Sequence, residues 1–361
     1  MRVTTVETVA VQVPFAERFP VSYETERETD HVFVRIHTAD GRVGYGEGAA
    51  LPWFTGEVAD GMAAVVDQYL RPRVEGGSLD AADAAVVDFG RSFPNAPGAF
   101  AAVEMALLDL RGKRAGIPVS DLLGPRRRDA VPKMCIIPAV DPEAAARTAS
   151  AAADEGYRQF KTKADGDLEG DAARINAVLD AIPADATLRV DPNTAWVNAP
   201  TAERAVALVE HPEKLEYLEQ PVPPERTAEL RRIWDATGIR VFADEAAHGP
   251  ADVAALGGDG LVAGCHLKLA KAGSLRRLEE MARVAGRHDL QVTVASAFGS
   301  SLDVAANLHV AAVAPALSRG CELCTDLVAA DPVVDPLPVG PEMAVPDEPG
   351  LGVELDPELF E

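Results

Sequence analysis

From about residue 131 the chain repeats one beat, a short apolar run followed by an Ala-rich stretch with helical spacing, once every ~25 residues. The apolar runs are VPKMCIIPA, YRQFKTK, TLRVD, LEYLE, RVFAD, GCHLKL, LQVTVAS and a last one near SRGCEL, eight in all. An interval of that length holds one strand and one returning helix. The runs therefore predict parallel strands, and eight of them close into an α/β barrel of the TIM type. Such a barrel collects its functional side chains at the C-terminal ends of its strands.

Four of the predicted strands end in an acid or a lysine at corresponding places: Asp191 in RVDPN, Glu219 in LEYLEQP, Asp244 in VFADE and Lys268 in CHLKLAK, with gaps of 28, 25 and 24 residues. Each gap is one strand–helix unit, so these side chains are expected at one level on four adjacent strands. One strand earlier, Lys161 and Lys163 stand two residues apart and point to the same side. Three neighbouring carboxylates repel one another in a partly buried site and call for a positive centre. A hard divalent cation with oxygen ligands, Mg²⁺ or Mn²⁺ in its place, suits them. It would hold a substrate carboxylate and stabilise the enediolate left when an α-proton departs.

A lysine is a base near neutral pH only when nearby cations and desolvation bring its pKa well below the ordinary ~10.4. Arginine keeps its charge and cannot do this. The chain has 27 arginines and 7 lysines, and three of the seven fall at these strand ends, so the choice of lysine there reads as chemical. Any one of these residues could instead cap a helix or face solvent. Their shared register on five consecutive strands is what points to a site.

The first 125 residues are patterned differently. VTTVETVAVQV reads as a strand, and HVFVRIHTADGRVGYGEG as two alternating runs around an Asp40-Gly41 turn, a hairpin. GMAAVVDQYLRPRV, DAADAAVVDFG and AFAAVEMALLDLRGKRAG carry apolar residues at helical spacing, the last closing in Arg and Lys before Gly116. The expected organisation is an α+β unit over 1–125, a barrel over 126–325, and a Pro- and Gly-rich segment over 326–361 that packs back on the first unit. GYGEG at 44–48 has the look of a dinucleotide fingerprint but leads into LPWFTGE rather than a helix. Its glycines are expected to serve turns and close packing.

The formal charge is −23, with no basic stripe, which excludes nucleic acid and anionic membrane surfaces as partners. That acidity fits either a high-salt cytoplasm or an Arg-rich, GC-rich genome. No run approaches the ~20 apolar residues of a membrane span, and the first residues lack a signal pattern, so a cytoplasmic protein is expected. Cys135, Cys265, Cys321 and Cys324 are too few and too irregularly spaced for a disulfide framework and read as small buried hydrophobes.

At its strand ends the chain resembles the enolase superfamily and, within it, the muconate-lactonising (muconate cycloisomerase) subgroup of the mandelate racemase/muconate lactonising enzymes. The resemblance rests on K-T-K at 161–163, D-P-N at 191–193, E-Q-P at 219–221, D-E at 244–245 and Lys268, and it spans nearly the whole chain. It implies an α+β capping domain, completed by the C-terminal segment, on a (β/α)7β barrel. Mg²⁺ would be held by Asp191, Glu219 and Asp244, with Glu245 behind them. Lys163 and Lys268 would face opposite sides of the substrate's α-carbon, and Lys161 would pair with its carboxylate. Asn193, Ser296, Phe298 and Glu322 take substrate-facing places, and two cap loops would add Phe19, Tyr23, Trp53 and Phe54.

Mandelate-racemase relatives end strand seven in His. Here that strand ends at Ser296, which puts the chain in the lysine–lysine group. Glu322 in GCELC stands where muconate cycloisomerases carry a Glu, whereas the second acid of dipeptide epimerases is replaced by Cys324, which disfavours dipeptide epimerisation. The loop ASAFGSSLD has Gly299 or a neighbour where many relatives carry Glu, so the distal pocket is expected to be rebuilt. The expected activity is that of an isomerase or lyase, muconate-cycloisomerase-like. The alternatives are an N-acylamino acid or proline-derivative racemase-epimerase and an o-succinylbenzoate synthase, with a Schiff-base aldolase barrel as the remote one. The expected partner is a small-molecule carboxylate, and the resemblance suggests a homo-oligomer, a dimer or an octamer.

Overall fold

Strand alternation at the N-terminus produces a three-stranded antiparallel sheet of β1 (Val3–Pro20), β2 (Thr25–Thr38) and β3 (Val43–Ala50), in that order. The computed structural model describes residues 1–20, 25–93 and 95–361, with 17–20 and 25–27 described in their backbone alone. Tyr23 and the side chain of Phe19 therefore lie outside the described residues. The β2–β3 hairpin turns where the sequence asks for it: Gly41 takes φ +83°, and Thr38 Oγ1 donates to Asp40 Oδ1 at 2.7 Å.

The glycines of GYGEG have a packing role and make no turn. A Cβ on Gly44, Gly46 or Gly48 would come within 2.3, 1.9 and 2.2 Å of the carbonyl oxygens of Ala106, Ala102 and Gly98 in the helix Pro97–Ala115. Two strand residues advance about 6.8 Å and four helical residues about 6 Å. A glycine at every second strand position thus meets the helix at every fourth residue, the two running in opposite directions. The helix lies directly on the sheet, and this contact forms the centre of the cap's own core with Val32, Val34, Val103 and Leu107.

The βα rhythm gives seven parallel strands in chain order: β5 (Cys135–Ile137), β6 (Gln159–Lys163), β7 (Thr187–Asp191), β8 (Leu215–Glu219), β9 (Val241–Ala243), β10 (Gly264–Lys268) and β11 (Gln291–Ala295). Two expectations change in detail. The run VPKMCIIPA splits into β4 (Ala130–Pro132), which pairs with β12 (Glu342–Ala344), and β5, which alone joins the barrel sheet. Pro132 has no N–H with which to continue a ladder. The eighth strand near SRGCEL is a set of bridges rather than a continuous strand: Leu317 pairs with Val292, Glu322 with Ala295, and Cys321 with Lys133. These bridges reach both edges of the sheet and close the ring.

Along each strand every second residue points inward, which sorts the interior into levels. Lys163 is in register with Asp191, and one level below it Lys161 is in register with Arg189. The lower level continues with Tyr217, Phe242, His266 and Thr293, all fully buried, and Tyr217 and Phe242 stack at 3.8 Å. This plug forms a floor beneath the strand ends.

Beyond the barrel, Ala329 N donates to Pro14 O at 2.7 Å, Leu351 N donates to Asp109 Oδ1 at 2.9 Å, and the Arg35 guanidinium lies 4.3 Å over the Phe360 ring. Residues 326–361 thus touch β1, β2 and the helix Pro97–Ala115, and through β12 they also touch the barrel. All four cysteines are free; burial pushes the Cys321 thiol up to about 11 and raises that of Cys324 as well. Among the described residues no helix is long and apolar enough to cross a membrane.

Candidate active site

Burial obliges the charges at the strand ends to find one another. Lys161 Nζ lies 3.0 Å from Asp191 Oδ2, 2.9 Å from Glu219 Oε1 and 2.9 Å from Glu322 Oε2. Lys163 Nζ sits 2.6 Å from Asp191 Oδ2 and donates to Asn193 Oδ1 at 2.9 Å. From the far flank, Lys268 Nζ reaches Asp244 Oδ2 at 2.5 Å and Lys271 Nζ reaches Asp244 Oδ1 at 2.6 Å. Glu245 joins through Asn193 Nδ2, 3.3 Å from its Oε1.

The loops that carry these groups are built to hold them. Asn193, Thr194 and Gln220 take φ of +42°, +69° and +33°, so the backbone turns sharply just after Asp191 and Glu219, a strain that the surrounding contacts must sustain. Gln220 Oε1 accepts from Asp244 N at 2.9 Å and Ala246 N at 3.1 Å, fixing the neighbouring strand end. Asp171, buried on the helix Leu168–Ala181, accepts from the backbone of Asp165 and Gly166 after β6, and from Trp196 Nε1 after β7 at 3.0 Å.

Charge balance tests whether a divalent cation fits. Asp191, Glu219, Asp244, Glu245 and Glu322 face Lys161, Lys163, Lys268 and Lys271, one positive charge short. Burial, then repulsion from Asp191, pushes Glu219 up to about 7; burial, then repulsion from Asp244 and Asp191, pushes Glu245 up to about 8. Among the described residues Glu219 Oε2 and Glu245 Oε2 also lack a hydrogen bond, although His266 Nε2 is 2.8 Å from the former. An all-oxygen donor set with excess negative charge and spare lone pairs fits a hard cation.

Glu219, His266 and Glu322 also bring possible ligand atoms within 4.8 Å of one another. The Lys161 ammonium already bonds both glutamates, and lysines likewise hold Asp191 and Asp244, so a lysine cation stands at both sets of acids. His266 is held neutral, first by burial and then by Lys161. Among the described residues the expected Asp191, Glu219 and Asp244 do not gather their ligand atoms this closely.

The lysines show the other side of this balance. Burial would lower Lys268, but Asp244, Glu322 and Glu219 outweigh it and hold the ammonium above the ordinary lysine range; Lys161 is raised for the same reason by Asp191, Glu219 and Glu322. This is the reverse of the shift a neutral-pH base needs. A cation taken up by the same carboxylates would oppose it.

The remaining expected residues divide. The Phe54 ring stands 4.8 Å from Lys268 Nζ and 5.7 Å from Lys271 Nζ, whereas its neighbour Trp53 is 68% exposed and is not brought to the network. Phe298, at φ +57°, packs edge-on to Phe15 of the cap at 5.6 Å, with Ile136 and Leu327 beside them. Ser296 Oγ accepts from Cys324 N at 2.9 Å, tying β11 to the segment that bears Glu322. Three buried groups were not anticipated: Lys271, His266 and the loop-holding Gln220.

Fold and site together define a class: a capped (β/α) barrel with paired lysines flanking a row of buried strand-end carboxylates. Residues 143–359 match the family described as "Enolase C-terminal domain-like", and residues 3–124 match "Mandelate racemase / muconate lactonizing enzyme, N-terminal domain". The chain belongs to the mandelate racemase/muconate lactonizing enzyme family of the enolase superfamily and is an enzyme of that superfamily. It is 30% identical to a chloromuconate cycloisomerase of Cupriavidus pinatubonensis over 99% of this chain and 97% of that one. The N-succinyl Arg/Lys racemase of Bacillus cereus superposes with a TM-score of 0.92 at 25% identity, covering 100% of this chain and 97% of that one. The dipeptide epimerase of Enterococcus faecalis, complexed with Mg and the dipeptide L-Leu-L-Tyr, superposes at 0.90 and 25% identity, covering 98% and 100%.

Proposed function

We propose that the chain removes a proton α to a substrate carboxylate, with Lys163 and Lys268 as acid and base, as a cycloisomerase resembling those that act on muconates. One observation carries this reading: Lys163 and Lys268 reach the row of strand-end carboxylates from opposite flanks, Lys163 on Asp191 and Lys268 on Asp244, with Glu219 between. Asp191, Glu219 and Asp244 would hold Mg²⁺, or Mn²⁺, which supplies a docking point for the carboxylate and charge to stabilise the enediolate. Either lysine takes the α-proton. Lactonisation or its reverse needs only one of them, whereas racemisation needs the second to deliver a proton to the other face. Asn193 orients Lys163, and Phe54 screens Lys268 from water. Lys161, fully enclosed by Asp191, Glu219 and Glu322, serves as a fixed positive charge rather than as a base.

Glu322 and the likeness to a chloromuconate cycloisomerase over almost the whole chain support the cycloisomerase reading. The presence of both lysines, and the likeness to an N-succinyl Arg/Lys racemase, favour racemisation of an N-acylamino acid as the second reading. Deuterium incorporation in D₂O with Mg²⁺ tests both, over a panel of muconates, N-acylamino acids, proline derivatives and dipeptides. The expected result is metal-dependent exchange at one α-carbon, reduced about 10²–10⁴-fold by Lys163→Ala or Lys268→Ala. Absence of exchange across the panel, together with Mg²⁺ binding that Asp191→Asn and Asp244→Asn leave unchanged, would overturn the proposal.

A further inference from the structure

A cavity of about 790 Å³ opens at the seam between cap and barrel and reaches the charged network at Lys271. Val86 and Phe100 of the cap helices give it apolar lining, and Arg91 of the cap and Arg276, Arg277 and His248 of the barrel line it as well. Its acids are Glu104 and Glu280. Glu104 is fully engaged by Ser274 Oγ at 2.8 Å, Leu275 N at 2.6 Å and Arg276 at 3.1 Å, and Arg276 is shared with Asp83 at 2.8 Å. The other two arginines are less committed. Arg91 approaches Asp88 only at 3.9 Å on the surface, and Arg277 forms no ion pair among the described residues. In a chain of formal charge −23, this is a local concentration of positive charge over apolar surface.

The inner end of the cavity is made by Phe54 and Lys271. Phe54 is also the ring that stands over Lys268 Nζ, and Lys271 holds Asp244. One aromatic side chain, on a stretch between β3 and the next helix that is neither strand nor helix, therefore separates the cavity from the lysine assigned to proton transfer.

We propose that this cavity is the vestibule through which the anionic substrate approaches: Arg91 and Arg277 capture its carboxylate, Val86 and Phe100 take its hydrocarbon part, and Phe54 is the gate to Lys268. The proposal rests on the reading that the substrate is a carboxylate. The overall negative charge repels such a substrate, whereas a cleft in which basic side chains outnumber acidic ones, here Arg91, Lys271, Arg276 and Arg277 against Glu104 and Glu280, focuses the field and raises capture rates, by ~10–10³ where one sign dominates, an effect that salt removes.

The test compares the metal-loaded wild type with the double variant Arg91→Glu/Arg277→Glu. A control of equal charge change, Arg147→Glu/Arg232→Glu, lies on helices of the barrel's outer face. With the substrate found by the exchange screen, kcat/KM of the cavity variant should fall roughly tenfold at ~10 mM salt and recover near ~0.5 M, with kcat nearly unchanged and the control like wild type. An equal fall in the control, a loss confined to kcat, or no loss would overturn the proposal. A fluorescence titration with 8-anilinonaphthalene-1-sulfonate, an amphipathic anion, needs no turnover. Its binding should weaken roughly tenfold in the double variant and in Val87→Trp, which narrows the cavity from its rim. Unchanged binding refutes anion capture here even if the chemistry is right. Failure of every carboxylate to exchange refutes the chemistry, and the titration still decides capture.

Discussion

Glu47, the acid of GYGEG, belongs to a cap strand, yet its carboxylate is spent on the barrel. It is 1% exposed. It accepts Ser300 N at 3.0 Å, Ser300 Oγ at 2.5 Å and Asp303 N at 3.1 Å, while His31 Nδ1 lies 2.9 Å from Oε1 and Thr29 Oγ1 lies 3.0 Å from His31 Nε2. Glu47→Ala leaves two backbone N–H groups at the start of the helix Ser301–Val313 without an acceptor, and each costs about 1–3 kcal/mol when buried. Part is returned because Asp303, pushed up to about 7 by burial and then by Glu47, loses its repelling neighbour.

The net expectation is a loss of about 2–4 kcal/mol. With an unfolding entropy of about 2.1 cal/mol/K per residue, that corresponds to a Tm lower by about 3–5 °C in a chain of this length. Urea unfolding and a near-UV circular dichroism melt measure it, with Glu47→Gln, which keeps one acceptor oxygen, falling between. Because Ser300 closes the loop bearing Ser296 and Phe298, KM should rise more than kcat falls. A loss below about 1 kcal/mol with unchanged KM would mean that the helix start finds its acceptors elsewhere, and would refute the clamp.

Two further outcomes follow from buried acids. Glu57 receives Gly98 N at 2.8 Å at the start of the helix Pro97–Ala115, but burial outweighs its hydrogen bonds and raises it from 4.5 to about 7. The folded state then holds this proton more tightly than the unfolded state, so the contribution to stability is full below about pH 4.5 and is lost as pH rises through 7. Wild-type stability relative to Glu57→Gln should decline by about 2–3 kcal/mol over that span, read from denaturant midpoints; a flat difference would refute it. In the strand-end network, Glu219 and Glu245 are held partly protonated near neutrality, so Mg²⁺ binding should expel protons. Calorimetry at pH 7.5 in two buffers of different ionisation enthalpy should show release of roughly one proton per ion, and zero release would argue against a metal at these carboxylates.

The barrel was legible because a strand–helix unit has a nearly fixed length, which turns spacing into register: the gaps between Asp191, Glu219, Asp244 and Lys268 set them at successive strand ends from spacing alone. The eighth strand and the split first strand were less legible, because Pro132 and the alternating bridges of residues 317–322 interrupt the run that pattern reading looks for. Lys271 was hidden by its place on a single helical turn, Leu269–Ala272, from which its ammonium folds back to Asp244. His266 did carry a signal, two residues before Lys268 on the same inward face. Trp53 and Phe54 show the limit in its plainest form: adjacent aromatics on one irregular stretch are equal in sequence, and only the packing of that stretch turns one ring over Lys268 and the other to solvent.

The same contrast explains why the reaction class was easier to read than the substrate. Three buried cap carboxylates aim at the barrel or the C-terminal segment: Glu47 at the start of Ser301–Val313, Glu104 at Leu275 N at the start of the preceding helix, Leu275–Arg287, and Asp109 at Leu351 N. Each binds backbone N–H groups, which every residue but proline offers, so part of the joint between cap and barrel does not depend on side-chain identity, although Ser300, Ser274 and Arg276 add side-chain bonds to it. The strand-end acids and lysines are likewise fixed by register and mutual charge. What remains free to vary are the irregular stretches that meet over the site, one carrying Phe54 and the other Phe298, whose anchors at Glu47 and Ser300 hold whatever side chains they present. Chemistry is thus written in spacing that a sequence displays, and specificity in loop conformation that only the assembled cap and barrel determine.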